Sequence, residues 1–168
     1  DLLALVGLPA RLLERPLVGI VSRLAGQKGF DLLGEAAEVL LQEDLAMVTL
    51  GTGEPRYEKM FRELAQRYPG KLAVHITYDN TLAHKIEAGA DLFLMPSRYE
   101  PCGLNQIYSL RYGTVPVVRA TGGLDDTIEA YDPRTGNGTG FKFQKYTAGE
   151  LLATVHQALT VYGQKDTW

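Results

Sequence analysis

Short apolar runs rich in β-branched residues alternate along this chain with longer stretches whose apolar positions recur every three or four residues. The runs Leu17 to Val21, Ala46 to Leu50, Leu72 to Ile76, Leu92 to Met95 and Val115 to Val118 predict strands, and Gly140-Phe141-Lys142-Phe143 adds a late one. Leu32, Leu33, Ala36, Val39 and Leu40 form one helical stripe, and Tyr57, Met60, Phe61 and Leu64 form another. The period of Leu151, Leu152, Val155 and Leu159 predicts a final helix over about Ala148 to Tyr162, and a short helix is expected over Asp126 to Tyr131. The stretch Asp132 to Gly140 is dense in Gly, Asn and Pro and reads as a loop. The run Leu17-Val18-Gly19-Ile20-Val21 is apolar throughout, the pattern of a strand covered on both faces. The fold class is therefore α/β, a Rossmann-like parallel sheet with helices on both faces, joined by right-handed crossovers.

The length of 168 residues suits one well-buried domain. A formal net charge of -3, with basic residues scattered along the chain, argues against a nucleic-acid partner. Cys102 is the single cysteine, so no disulfide forms within the chain, which suits a reducing compartment. No apolar run is long enough to span a bilayer, and the first residues lack the basic flank of a signal peptide, so the expectation is a soluble, cytoplasmic protein without a membrane partner.

The unusual residues gather after the strands. Ser22-Arg23 to Gln27-Lys28-Gly29 follows the first, Gly51-Thr52-Gly53 the second, Thr77-Tyr78 the third, Pro96 to Gly103 the fourth and Thr121-Gly122-Gly123 the fifth. In an open parallel sheet these strand ends share one edge, so the five loops are expected to converge on one crevice. Arg23 and Lys28 lie just before a helix start, a seat for phosphate. Thr121, Gly122 and Gly123 open another helix, where missing Cβ atoms would let a phosphate approach the backbone, with Asp125 and Asp126 read as capping that helix. Glu100 and the backbone N–H groups around Cys102, Gly103 and Leu104 can bind the hydroxyls of a sugar, and Tyr78 can offer its ring to a nucleobase. His75, His84 and His156 suggest no triad, and no metal-binding Asp-x-Asp is spelled, so neither a metal nor a cofactor is expected.

With these residues placed, the chain resembles the C-terminal half of bacterial glycogen synthase and plant starch synthase, retaining glycosyltransferases of the two-domain GT-B architecture. The resemblance rests on Ser22-Arg23-Leu24 through Gln27-Lys28-Gly29, on Ser97-Arg98-Tyr99-Glu100-Pro101-Cys102-Gly103-Leu104, and on Arg119-Ala120-Thr121-Gly122-Gly123-Leu124. It implies ADP-glucose as donor and the non-reducing end of an α-1,4-glucan as acceptor, with Arg23 and Lys28 gripping the diphosphate and Tyr78 stacking on adenine. It further implies that Glu100 and the backbone of Cys102, Gly103 and Leu104 hold the glucosyl hydroxyls, while Thr121, Gly122 and Gly123 receive phosphate. Many retaining relatives carry a second glutamate eight positions after the first; that position is Tyr108 here, which leaves the ribose contact unassigned. By the same resemblance residues 1–14 form an interdomain segment and 15–168 the donor-binding domain. The N-terminal GT-B domain is the missing partner, without which no turnover is expected, and a plant source would imply a plastid. Three rivals remain: a UDP-glucose-dependent enzyme such as a sucrose-forming one, a non-catalytic nucleotide- or glucan-binding module, and a nicotinamide oxidoreductase. The last lacks GxGxxG in the first loop and an acidic residue after the second strand.

Overall fold

A computed structural model describes residues 2–164 and 168. Asp1, inside the 1–14 segment, and residues 165–167, at the end of the 15–168 domain, lie outside the described residues. The strands are β1 (Leu17–Val21), β2 (Ala46–Leu50), β3 (Leu72–His75), β4 (Leu92–Met95), β5 (Val115–Arg119) and β6 (Phe141–Phe143). The helices are α1 (Leu2–Val6), α2 (Phe30–Gln42), α3 (Pro55–Arg67), α4 (Asn80–Gly89), α5 (Asn105–Tyr112), α6 (Gly123–Thr127) and α7 (Ala148–Tyr162). All six strands pair in parallel in the order β3-β2-β1-β4-β5-β6, so strand order reverses between β1 and β4. A doubly wound sheet opens its ligand crevice at such a reversal, outside the carboxyl ends of the strands.

Burial follows the strand period. Val18, Ile20 and Met47 face one side of the sheet with α2, α3 and α7, whereas Leu17, Ala46 and Val48 face the other with α1 and α4. On the first side Phe30 packs 5.5 Å from Phe61 in a T-shaped contact, and 5.8 Å from Tyr57. On the second side α4 lies close over β1, because a Cβ on Gly19 would sit 2.9 Å from Ile86 Cγ2. The single core expected from length is therefore two layers separated by the sheet. Leu3, Val6, Leu8 and Leu12 are buried in the second layer, so residues 2–12, expected as an interdomain segment, pack onto this face of the sheet.

Two expectations need correction. The short helix after β5 covers Gly123–Thr127 and not Asp126 to Tyr131, because Gly122 turns the chain into the helix at once and Ile128 already returns to extended backbone. Asp125 and Asp126 occupy its first turn without capping it; Asp125 Oδ1 instead pairs with Lys142 Nζ on β6 at 2.7 Å. Their charge still complements the helix dipole. Real caps occur elsewhere: the Asp79 carboxylate accepts from Leu82 N–H at 2.9 Å to start α4, and the Thr147 hydroxyl accepts from Glu150 N–H to start α7.

Candidate functional site

The β1–α2 loop is fastened to two neighbours. Leu24 N–H donates to Thr52 carbonyl at 3.0 Å and Glu54 N–H to Leu24 carbonyl at 2.7 Å, which ties it to the β2–α3 loop. On the other side Arg98 N–H donates to Gln27 carbonyl at 2.9 Å, and Gln27 Nε2 donates to Tyr99 carbonyl at 3.2 Å. Gly29, with φ +81°, makes this second junction possible, because a Cβ there would lie 2.0 Å from the Pro96 carbonyl oxygen. Arg98 braces the junction through Asp31, whose carboxylate also accepts from Tyr146 hydroxyl at 2.5 Å. Burial pushes the Asp31 carboxyl up, yet the hydrogen bonds from Tyr146 and Arg98 outweigh it and hold Asp31 below its usual 3.8. Burial, then the Asp31 carboxylate, drive the Tyr146 phenol far upward, so it stays protonated.

This zipper brings Lys28 to Glu100 across 72 residues of sequence. Lys28 Nζ donates to Glu100 Oε2 at 2.5 Å, and Ser97 Oγ lies 3.3 Å from the same oxygen. The Glu100 side chain is 9% exposed and that of Lys28 24%. A lysine ammonium carries three donors, so one directed at Glu100 leaves others for an anion. Arg23 is exposed and forms no ion pair among the described residues. At the start of α5 the backbone N–H groups of Gly103, Leu104 and Asn105 find no protein acceptor among the described residues, the ordinary condition of a helix N-terminus and a place for anions or hydroxyls. Asn105 Nδ2 holds this end in position by donating to the Val21 carbonyl at 3.0 Å.

A cleft of about 820 Å³ opens over these groups. Of the residues singled out in the sequence, Arg23, Lys28, Tyr78, Glu100, Gly103 and Leu104 line it together. Tyr78 is 86% exposed, with its ring unpacked. Four of the five loops converge as expected; the fifth does not reach the cleft. Thr121, Gly122 and Gly123 lie outside its lining, and so does Cys102, an exposed free thiol. Gly123 N–H already donates to Glu100 carbonyl at 2.9 Å. A Cβ on Gly122 would meet Glu100 carbonyl oxygen at 2.2 Å, and one on Gly123 would meet Cys102 carbonyl oxygen at 1.9 Å. These two glycines thus let the loop after β5 press against the backbone that carries Glu100, supporting the site from behind. Sequence reasoning marked Tyr108 on the opposite wall but overlooked the rest of it, where α4 and its cap contribute Asp79, Asn80, His84 and Glu87. The signal for these was a glutamate three positions after a histidine within a helical stretch. No group of three or more His, Cys, Asp or Glu side chains able to hold a metal ion occurs among the described residues, and no helix among them is long and apolar enough to cross a membrane.

An open six-stranded parallel sheet whose reversal point carries a lysine–carboxylate pair, a free helix N-terminus and an unpacked tyrosine defines a Rossmann-type α/β domain with its polar groups gathered at the crevice that this fold class uses for ligands. The comparisons with known proteins narrow that class. The chain belongs to the group 1 glycosyl transferases, whose family model matches residues 10–166. It is 60% identical over 168 residues to a glycogen synthase of Koribacter versatilis, covering all of this chain and 34% of that protein, and 52% identical over 163 residues to a glycogen synthase of Kosmotoga olearia, again 34% of its length. Among solved structures it is similar to the catalytic domain of starch synthase IV from Arabidopsis thaliana, bound to ADP and acarbose. There the TM-score is 0.87 and the identity 34%, over 95% of this chain and 34% of that one. The chain spans about a third of the length of these relatives.

Proposed function

We propose that this chain is the donor-binding part of a retaining glucosyltransferase of the glycogen and starch synthase kind, which moves glucose from ADP-glucose to the non-reducing end of an α-1,4-glucan. The observation that carries this reading is the Lys28–Glu100 pair at the sheet's reversal point, beside the unpaired N–H groups of Gly103 and Leu104 and within the same cleft as Tyr78. Lys28 and Arg23 face the diphosphate, Glu100 and the α5 N-terminus face the glucosyl hydroxyls, and Tyr78 stacks on the adenine. Cleavage of the bond between the anomeric carbon and ADP builds negative charge on the leaving diphosphate. Cations already fixed in place stabilise that charge more in the transition state than in the ground state, an effect typically worth roughly 10²–10³ in rate per donor removed. The identity with glycogen synthases and the ADP and acarbose held by the starch synthase support both donor and acceptor assignments. The acceptor and a second GT-B domain complete the site, so this part binds donor without turning it over.

Calorimetric titration of the chain with ADP, UDP and NAD, repeated with Tyr78→Ala, tests the proposal. ADP selectivity lost in the variant is the expected result. Selective binding of UDP would reassign the donor to UDP-glucose, and selective NAD binding would replace the whole reading by a nicotinamide enzyme.

A further inference from the structure

The wall formed by α4 and α5 holds a buried acid that the donor reading does not use. Glu87 lines the cleft with a side chain only 3% exposed, and its Oε2 lies 3.0 Å from His84 Nδ1. Both atoms are sealed from solvent, and neither finds a hydrogen-bond partner elsewhere among the described residues. Burial pushes the Glu87 carboxyl above its usual 4.5, and the neighbouring His84 opposes that shift. Thr114 Oγ1 donates to the Glu87 carbonyl at 2.6 Å and fixes the backbone of this turn. The His84 ring meets Tyr108 and Tyr112 edge-on, with centroids 5.5 and 6.2 Å away. Its side chain is nevertheless 40% exposed; since Nδ1 is covered, the part left for the cleft is the Nε2 side of the ring. A carboxylate at Nδ1 is the arrangement that sets which imidazole nitrogen holds the proton and leaves the other to a ligand.

Position along α4 indicates which part of a ligand meets this nitrogen. Tyr78 immediately precedes the Asp79 cap, and His84 lies roughly 8 Å further along the helix axis at 1.5 Å per residue. A base stacked on Tyr78 therefore sets its pentose against the first turns of α4, while Arg23 and Lys28 take the phosphates from the opposite wall. We infer that His84, positioned by Glu87 and bounded by Tyr108, forms the ribose subsite of the cleft, with Nε2 hydrogen-bonding a hydroxyl of the pentose diol. This rests on the nucleotide-donor reading. It supplies from α4 the ribose contact that Tyr108 leaves open on α5, and it makes Glu87 a positioning residue.

The test is a cycle between protein and ligand. ADP, 2′-deoxy-ADP and 3′-deoxy-ADP are titrated by calorimetry into the wild-type chain and into His84→Ala, His84→Gln and Glu87→Gln, each checked for folding by circular dichroism. In the wild type, loss of the contacted hydroxyl weakens binding about three- to tenfold, the worth of one ordinary hydrogen bond. In His84→Ala, ADP itself weakens by a similar factor and the difference between ADP and that deoxy analogue disappears. Glu87→Gln shrinks the difference while the fold is kept, which a merely structural residue would not do. His84→Gln, which keeps bulk between the two tyrosines, carries the test if the alanine variant does not fold. Equal binding of all three nucleotides by the wild type, or unchanged discrimination in the His84 variants, overturns the subsite and leaves the nucleotide reading standing. Failure of the wild type to bind ADP removes both.

Discussion

Replacing Lys28 separates two roles that the structure gives it. Removing one member of a fully buried ion pair costs about 3–5 kcal/mol, mostly because the surviving charge is left without a partner. Here Glu100 is nearly buried but Lys28 is 24% exposed, so water can reach part of the vacated site and about 2 kcal/mol is the better figure. For a domain of this size that lowers Tm by about 4–8 °C. Lys28→Ala/Glu100→Gln carries no stranded charge and should recover most of the loss, giving a coupling energy of about 1 kcal/mol or more in a double-mutant cycle. Binding should behave differently. A charged hydrogen bond to phosphate is worth about 1.5–3 kcal/mol, so both Lys28→Ala and the double variant should bind ADP about 10- to 100-fold more weakly. Urea unfolding and calorimetry on the same preparations read the two effects. A Lys28→Ala domain as stable as wild type would refute the energetic reasoning about the pair, and a double variant that binds ADP normally would remove Lys28 from the phosphate site.

Gly29→Ala should combine an unfavourable left-handed residue, about 1–2 kcal/mol, with a collision against the Pro96 carbonyl, and so spread the first and fourth loops. Weakened ADP binding together with a lower urea midpoint is the expected outcome, and an unchanged pair of values would show that the junction does not set the site. Asp31, held below 3.8 in the fold, contributes stability that is fully present above that pH and lost as pH falls through its folded value. The stability difference between wild type and Asp31→Asn, followed by urea midpoints, should therefore stay level from neutral pH to about pH 4 and shrink below it; a difference that persists unchanged into stronger acid would contradict the assignment.

Local periodicity carried much of the architecture. The apolar runs placed β1, β2 and β4 at their observed bounds, β3 and β5 to within one residue, and α7 over Ala148–Tyr162, because burial on both faces of a parallel sheet demands continuous apolar strands and period-matched helices. The rule that ligands bind at strand carboxyl ends also made the loops bearing Arg23, Lys28, Tyr78, Glu100, Gly103 and Leu104 legible as neighbours. The sequence did not show that the Thr121–Gly123 turn packs directly against the backbone carrying Glu100 and Cys102, since only the positions of those two carbonyls in space reveal the contact. Nor did it show the cap-free start of α6, where a cross-element contact with Lys142 claims Asp125.

By itself, then, the sequence determined the parallel α/β fold and the edge at which chemistry gathers, because those follow from patterns within a few residues of one another. Only the tertiary structure decided that Lys28 meets Glu100 and that His84 and Glu87 stand with Tyr108 on the far wall. Those contacts depend on strand order and on how closely two loops can pass, and both are set by packing between residues far apart in the chain.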